Sequence, residues 1–346
     1  MAENDDTPPP RRSMMRRAAR LLGLILLWTL LAGMMAWATL AVALANISVN
    51  PPRYGIAVLL VLLTIVGMIL VRRRKFVWRV PLFAFAIVLI WYLSLRASNE
   101  RDWRIEQSRT AWCDIQGDQL TLHNVRDFDY RSVDEQLPKW EDRTYDLRRM
   151  RTVDLILCYW GSPDVAHVIT SFGFDDGRYL AASIEVRREK GEPQSSLRSL
   201  VREYELMYIF GDERDLIRLR TNYRKEDLYL YRTKLAPAQA RAVLLSYVNR
   251  ANALANHAEW YNTITTNCAT GALPHARAAG APGQWSLDIF LSGRAARQGY
   301  RNRLLDTSLP FEQLEHRSHI NSPAVAAENA PDFSSRIRAG LPGIDH

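Results

Sequence analysis

The sequence predicts an α+β protein in which N-terminal transmembrane helices precede a soluble domain built on an antiparallel sheet. Three observations carry this expectation. No Asp or Glu occurs between Leu21 and Leu95, whereas charges of both signs are mixed through the rest of the chain. Short alternating or wholly apolar runs of strand length then follow one another up to about residue 233. From Pro237 the apolar period becomes helical, with proline in the first turn.

The stretch "LLGLILLWTLLAGMMAWATLAVALANI" (21–47) exceeds the roughly 20 apolar residues that cross a hydrocarbon core. A second span is expected over 55–71 and a shorter third over 80–95, flanked by Arg79 and Arg96, which can snorkel. The first run is too long for a secretory signal peptide, and no small-residue cleavage site closes it. An interfacial third segment would strand the domain in the cytoplasm, but Trp91 and Tyr92 suit the outer boundary of a spanning one. With the basic tail 1–20 inside, "RRRK" (72–75) also falls inside, and residues 96–346 emerge outside the membrane as the soluble domain of a multi-pass protein.

The formal charge of +8 arises entirely before residue 96, where eleven basic residues face three acidic ones; 34 of each sign remain beyond it. The soluble part is therefore neutral, which argues against a nucleic-acid partner. The bilayer is the expected partner.

Within the domain, strands are expected at 119–131, 152–161, 204–210, 216–220 and 228–233, with a hairpin over 166–189 turning at Asp175-Asp176-Gly177. A helix follows at 237–256, a second near Asn267, and after Gly280 a Pro-, Gly- and Arg-rich coil with short helices. No metal-ligand spacing and no phosphate-cradling glycine loop is present, so neither a metal nor another cofactor is expected.

In "TTNCATGAL" (265–273), Cys268 falls in the first turn of the expected second helix, where free N–H groups and the dipole favour a thiolate. The competing reading is an inert small hydrophobe. A nucleophilic thiol needs an imidazole. His275 lies seven residues along the same helix, ~10 Å away on its axis, whereas His167 opens the hairpin on a strand that can fix its direction. Across the turn, alternation sets Ser183, Glu185 and Arg187 on one face. Glu185 could orient His167 or simply pair with an arginine. Cys113 and Cys158 could form a disulfide, or Cys158 could be core. The run "GDERDLIRLRTNYRKED" (211–227) could receive an anion through Arg214, Arg218 and Arg220; internal pairing with Asp212, Glu213 and Asp215 on a solvated surface is the plainer reading. Tyr261 and Asn262 could line the thiol or serve the turn before it.

The segments "NVRDFDYR", "AHVITSFGFDDGRYLAASIEVRRE", "YELMYIFGDERDLIRLRTN", "LYLYR" and "YNTITTNCATGAL", in this order, resemble the Lnb N-terminal periplasmic domain family. That family in turn resembles permuted papain-like thiol enzymes of the NlpC and LRAT type, in which a strand histidine precedes a helix-borne cysteine. The resemblance implies a permuted papain-like domain, Cys268 as nucleophile, His167 as its base, and lipoprotein N-acyl transfer. One departure stands out: the family's acyltransferase carries its membrane segments after the domain, and here three precede it. The expected function is a thiol acyltransferase or hydrolase acting on a lipoprotein or phospholipid through an acyl-cysteine. A peptidoglycan-peptide thiol hydrolase, or a non-catalytic module of an envelope complex with an inert Cys268, are the alternatives.

Overall fold

The computed structural model describes residues 11–45, 53–71, 73–280 and 291–344. The first ten residues of the tail, the end of the expected first span (Asn46 and Ile47), Arg72, residues 281–290 of the expected coil, and His346 lie outside it. The chain divides into two units, residues 1–96 together with Val201–Glu203, and the remainder.

The first unit holds α1 (Arg11–Leu44), α2 (Arg53–Leu70) and α3 (Arg79–Ser94). Three helical stretches, Met15–Leu44, Arg53–Leu70 and Arg74–Ser94, are long and apolar enough to cross a membrane. Their large side chains, such as Leu26, Leu63 and Ile90, point outward, whereas Ala38, Val42, Ala57 and Val88 are buried together. Small residues inside and large apolar ones outside are what helices need to approach one another in lipid, where no hydrophobic force drives them together.

The second unit is the α+β domain. Among its described residues eight strands form one sheet: β1 (Trp112–Gln116), β2 (Gln119–Arg126), β5 (Trp140–Asp146), β6 (Met150–Tyr159), β7 (Ala166–Phe174), β8 (Tyr179–Arg187), β9 (Glu205–Gly211) and β10 (Asp227–Arg232). The order is β1-β2-β9-β8-β7-β6-β10, with β5 also on β2. All neighbours are antiparallel except β2 and β9, which touch in parallel at Arg126 and Gly211. The short pair β3 (Asp129–Tyr130) and β4 (Gln136–Leu137) stands apart. The expected strand 119–131 thus breaks after Arg126. Gly177 closes the β7–β8 turn at φ +81°, a conformation costly for any other residue.

Alternation sorts the central strands onto two faces. Phe172, Ala182, Ile184 and Tyr208 pack under α5 (Pro237–Asn256), through its Val243, Leu244, Tyr247 and Val248. Ile156, Ile169, Ala181 and Met207 pack on the other face against Leu216 and Ile217 of α4 (Glu213–Arg218) and against Ile320, Phe333 and Ile337. Here the expected strand at 216–220 is corrected. Asp212 accepts from Arg214 N and caps a helix, so the neighbours Leu216 and Ile217 are buried together, as only a helix allows. α4 then widens into a π-helical turn, Leu219–Tyr223. α6 (Cys268–Ala278) lies with α5, and its Gly271 lets it sit close to the sheet: a Cβ there would stand 3.1 Å from Ile184 Cδ1. Short helices α7 (Ala295–Arg301), α8 (Phe311–Arg317), α9 (Asn321–Ala326) and α10 (Phe333–Arg336) complete the domain.

One open reading is decided and one expectation is overturned. Cys113 and Cys158 are both free and buried. β1 and β6 stand five places apart in the sheet order, ~24 Å at strand spacing, and their thiols belong to cores on opposite faces. No disulfide can bridge that gap. The charged run 211–227 is not solvated either: Glu213, Asp215, Arg218 and Arg220 are all buried. All but one of their counter-ions, Glu226, come from outside the run. Asp215 pairs with Arg126 at 2.8 Å, Arg218 with Asp129, Glu213 with Arg338 at 2.5 Å, and Arg220 with Glu185 and Glu226 at 3.0 Å each.

Candidate active site

The chain arrives at Cys268 through a tight turn. Asn262 Oδ1 accepts from Ile264 N and Thr265 N, and Thr266 N donates to Asn262 O. Asn262 therefore serves the turn. Asn267 is the N-cap of α6: its Oδ1 accepts from Ala269 N (2.8 Å) and Thr270 N (2.7 Å), and its own amide donates to Thr270 Oγ1 (2.9 Å). Cys268 is the first residue of the helix. Among the described residues its backbone N–H has no acceptor, so the first turn keeps one donor free beside the thiol.

The sulfur meets β7 where that strand parts from β8. The β7–β8 ladder runs from Gly173↔Tyr179 to Ile169↔Ser183 and stops. Continuing the register by two residues would set His167 against Glu185. Cys268 Sγ lies 4.0 Å from Ala166 O, and the His167 ring and the Val168 amide both act on the charge of the thiol. Cys268 packs with the cores on the α5 face, whereas His167 pairs in register with Cys158 and faces the α4 side. Thiol and imidazole thus meet at the opening between the strands.

His167 Nε2 is 3.1 Å from Glu185 Oε1 and 2.6 Å from Ser183 Oγ, and Ser183 Oγ donates to the same carboxylate oxygen at 2.7 Å. Arg220 Nη2 donates to that oxygen as well, at 3.0 Å, while Nη1 holds Glu226. The two readings of Glu185 therefore coexist, since it joins the histidine to a buried arginine.

Charge coupling follows from this crowding. Burial alone would lower the His167 pKa, but the Glu185 charge outweighs it, and with the Cys268 contact the imidazole rises to about 9. Burial raises the Cys268 thiol, yet the hydrogen bond and charge of His167 overcome this and bring it below its ordinary value. Glu185, opposed by burial, is held well below the carboxylate range by His167 and Arg220. The pair is thereby biased toward thiolate and imidazolium. Tyr261 packs against the same core as Cys268, and its hydroxyl is pushed up by burial and then by Cys268 and Glu185.

All three expected site residues come together. Sequence reasoning missed the partnership of Ser183 and Arg220: Ser183 was visible as a face-mate of Glu185, but Arg220 had no signal beyond the charged run itself. His275 does not contribute, being a core histidine between Tyr208 Oη (2.9 Å) and Ser246 Oγ (2.8 Å), where burial lowers its pKa to about 4.

A mixed α+β domain with an antiparallel-dominated sheet, joined to three membrane-length apolar helices, defines a membrane-associated protein with a globular domain. Residues 136–291 match the family model of the Lnb N-terminal periplasmic domain, the family its motifs resemble. The match spans His167, Glu185, Arg220 and Cys268, and with the apolar helices it supports a membrane-associated protein with a periplasmic domain. Comparison with curated proteins and with solved structures gives no match.

Proposed function

We propose that the protein is a multi-pass inner-membrane thiol acyltransferase or hydrolase whose periplasmic domain, residues 96–346, works through an acyl-Cys268 intermediate. The observation that carries this reading is Cys268, its sulfur 4.0 Å from the carbonyl preceding His167, coupled in charge to an imidazole that Glu185 holds at 3.1 Å. The order of a strand histidine before a helix cysteine also fits a permuted papain-like arrangement.

The thiolate attacks an ester or amide carbonyl and forms the C–S bond. The free N–H of Cys268 receives the oxyanion. Collapse breaks the bond to the leaving alcohol or amine, which takes its proton from the His167 imidazolium. With Nε2 committed to Glu185 and Ser183, Nδ1 is the nitrogen left to exchange that proton. An incoming amine or water then gives its proton to His167 and releases the acyl group. Glu185 stays ionised throughout and orients the ring, and Arg220 with Ser183 fixes Glu185. A membrane anchor suits an acyl donor that is itself a lipid or lipoprotein.

The test is intact mass spectrometry of the full-length protein and a Cys268→Ala variant after incubation with labelled phospholipid, labelled diacylated lipopeptide, or muropeptides. Label on wild type alone, from a lipid or lipopeptide, supports acyl transfer. Turnover of muropeptides alone points to the peptide hydrolase. Label on neither protein from any pool sinks thiol catalysis.

A further inference from the structure

The end of the sheet that carries the thiol is also the end at which the chain enters the domain. Tyr159 of β6, Ala166 of β7, Arg187 of β8 and Glu205 of β9 all lie at this end, as their register shows. Four residues after Ser94 closes α3, Ser98 N donates to Glu205 Oε1 at 3.2 Å. Asn99 Oδ1 accepts from Arg187 Nη1 at 2.9 Å, and its Nδ2 holds the carbonyls of Leu254 and Ala255 at the close of α5. Four residues reach at most ~14 Å.

The loops at this same end expose apolar side chains. Trp160 (49% exposed) and Val165 (43%) stand in the β6–β7 loop, immediately before His167. Leu197 (53%) stands in the β8–β9 loop and Ile264 (52%) in the turn before Cys268. Those two loops are bound together, since Thr263 N donates to Ser199 O and Asn262 Nδ2 to Leu200 O. Apolar side chains, one of them tryptophan, therefore stand out from the loops surrounding the reactive pair. Water gives no reason for that placement, whereas a headgroup–acyl boundary does.

We infer that this end of the domain docks on the phospholipid bilayer, with Trp160, Val165, Leu197 and Ile264 inserted among the lipids so that carbonyls lying in the surface reach Cys268. The inference rests on the thiol reading only in its last clause. It narrows the substrate to one presented by the bilayer, with its acyl chain left in the membrane, and excludes soluble peptides. The tether supplies the nearness and the loops supply the apolar contact.

The opposite end of the sheet provides a control of equal exposure. Arg126 meets Gly211 there, and Leu137 (53% exposed) lies beyond them on β4. Full-length protein carrying Cys268→Ala is labelled with an environment-sensitive fluorophore at one added cysteine: Trp160→Cys, Val165→Cys, Leu197→Cys, Ile264→Cys or Leu137→Cys. Native Cys113 and Cys158 are buried and do not compete. Each protein is placed in nanodiscs of phosphatidylglycerol and phosphatidylethanolamine, with and without spin-labelled lipid. The four site-end labels shift to the blue and lose intensity to the spin-labelled lipid, and the label at 137 does neither. Quenching at the four positions no greater than at 137 overturns the docking. The experiment needs no activity, so the two ideas fail separately. Quenching without any acyl-cysteine in the wild type ends the thiol reading alone, and acyl-cysteine without quenching ends the docking alone.

Discussion

His167 and Glu185 stand opposite each other two residues past the last rung of the β7–β8 ladder, Ile169↔Ser183, with Nε2 and Oε1 3.1 Å apart. Their side chains take over where the backbone pairing has ended. The parted strands leave a carbonyl and an amide of β7, those of Ala166 and Val168, beside the sulfur of Cys268. A continuous ladder would have closed that space. What it costs in backbone pairing is returned as a fixed imidazole next to a reachable thiol.

The first prediction concerns thiol reactivity. Because His167 holds the Cys268 thiol below its ordinary value, iodoacetamide alkylates Cys268 readily at neutral pH. His167→Ala lowers that rate by ~10-fold or more and moves the midpoint into the ordinary thiol range. Cys158, which burial pushes up to about 12, stays unmodified. Site-resolved mass spectrometry across pH reads all three, and identical profiles for wild type and His167→Ala would refute the coupling.

Arg220 is the cation for two buried carboxylates, Glu185 and Glu226. Arg220→Met leaves both without it and lowers unfolding stability by ~3–5 kcal/mol. Adding Glu226→Gln recovers part of the loss, because one of the stranded charges is removed. Denaturant titration of the two variants decides it; equal losses would show that Glu226 is indifferent to the arginine.

Glu205 gives a pH dependence of defined sign. Burial pushes its carboxyl up to about 7 from an ordinary 4.5, despite the opposing charge of Arg101. The folded state therefore holds this proton where the unfolded chain releases it. The resulting stability is fully present below 4.5 and is lost as pH rises through about 7. Melting temperature measured across that window falls in the wild type more steeply than in Glu205→Gln, whose amide cannot ionise. Parallel curves would show that the carboxyl does not titrate there.

Asn267 satisfies two amides of the first turn of α6. Asn267→Ala costs ~1 kcal/mol, and Asn267→Asp, which keeps the acceptor, costs little. The alanine variant also slackens the start of the helix that presents Cys268, so its alkylation rate falls along with its stability. A stability loss with alkylation unchanged would separate the cap from the placement of the thiol.

Much of this architecture was legible because short-range patterns specify it. The apolar runs, the Asp175–Gly177 turn, Pro237 at the start of α5 and Asn267 before α6 each act within a few residues. The misreadings have one cause in common. Leu216–Arg220 alternates like a strand, yet the buried charges of Glu213–Arg220 are neutralised by Arg126, Asp129, Glu185, Glu226 and Arg338, most of them distant in sequence. A local window sees charged residues and assigns them to solvent. β5 escaped notice for a related reason: "WEDRTYD" is polar and mostly part-exposed, and it is a strand only because β2 offers it an edge. At the site, His167 and Cys268 were separable from the other histidines and cysteines by element type, whereas Arg220 could be found only from the fold.

Arg338 reaches back to Asp154 and Glu213, 184 and 125 residues earlier in the chain, and is buried with them. Both acids are made long before that guanidinium follows. Until it does, Glu213 lacks that arginine and Asp154 has only Arg232. The α4 side of the core is therefore completed only when the segment bearing Arg338 has packed against it.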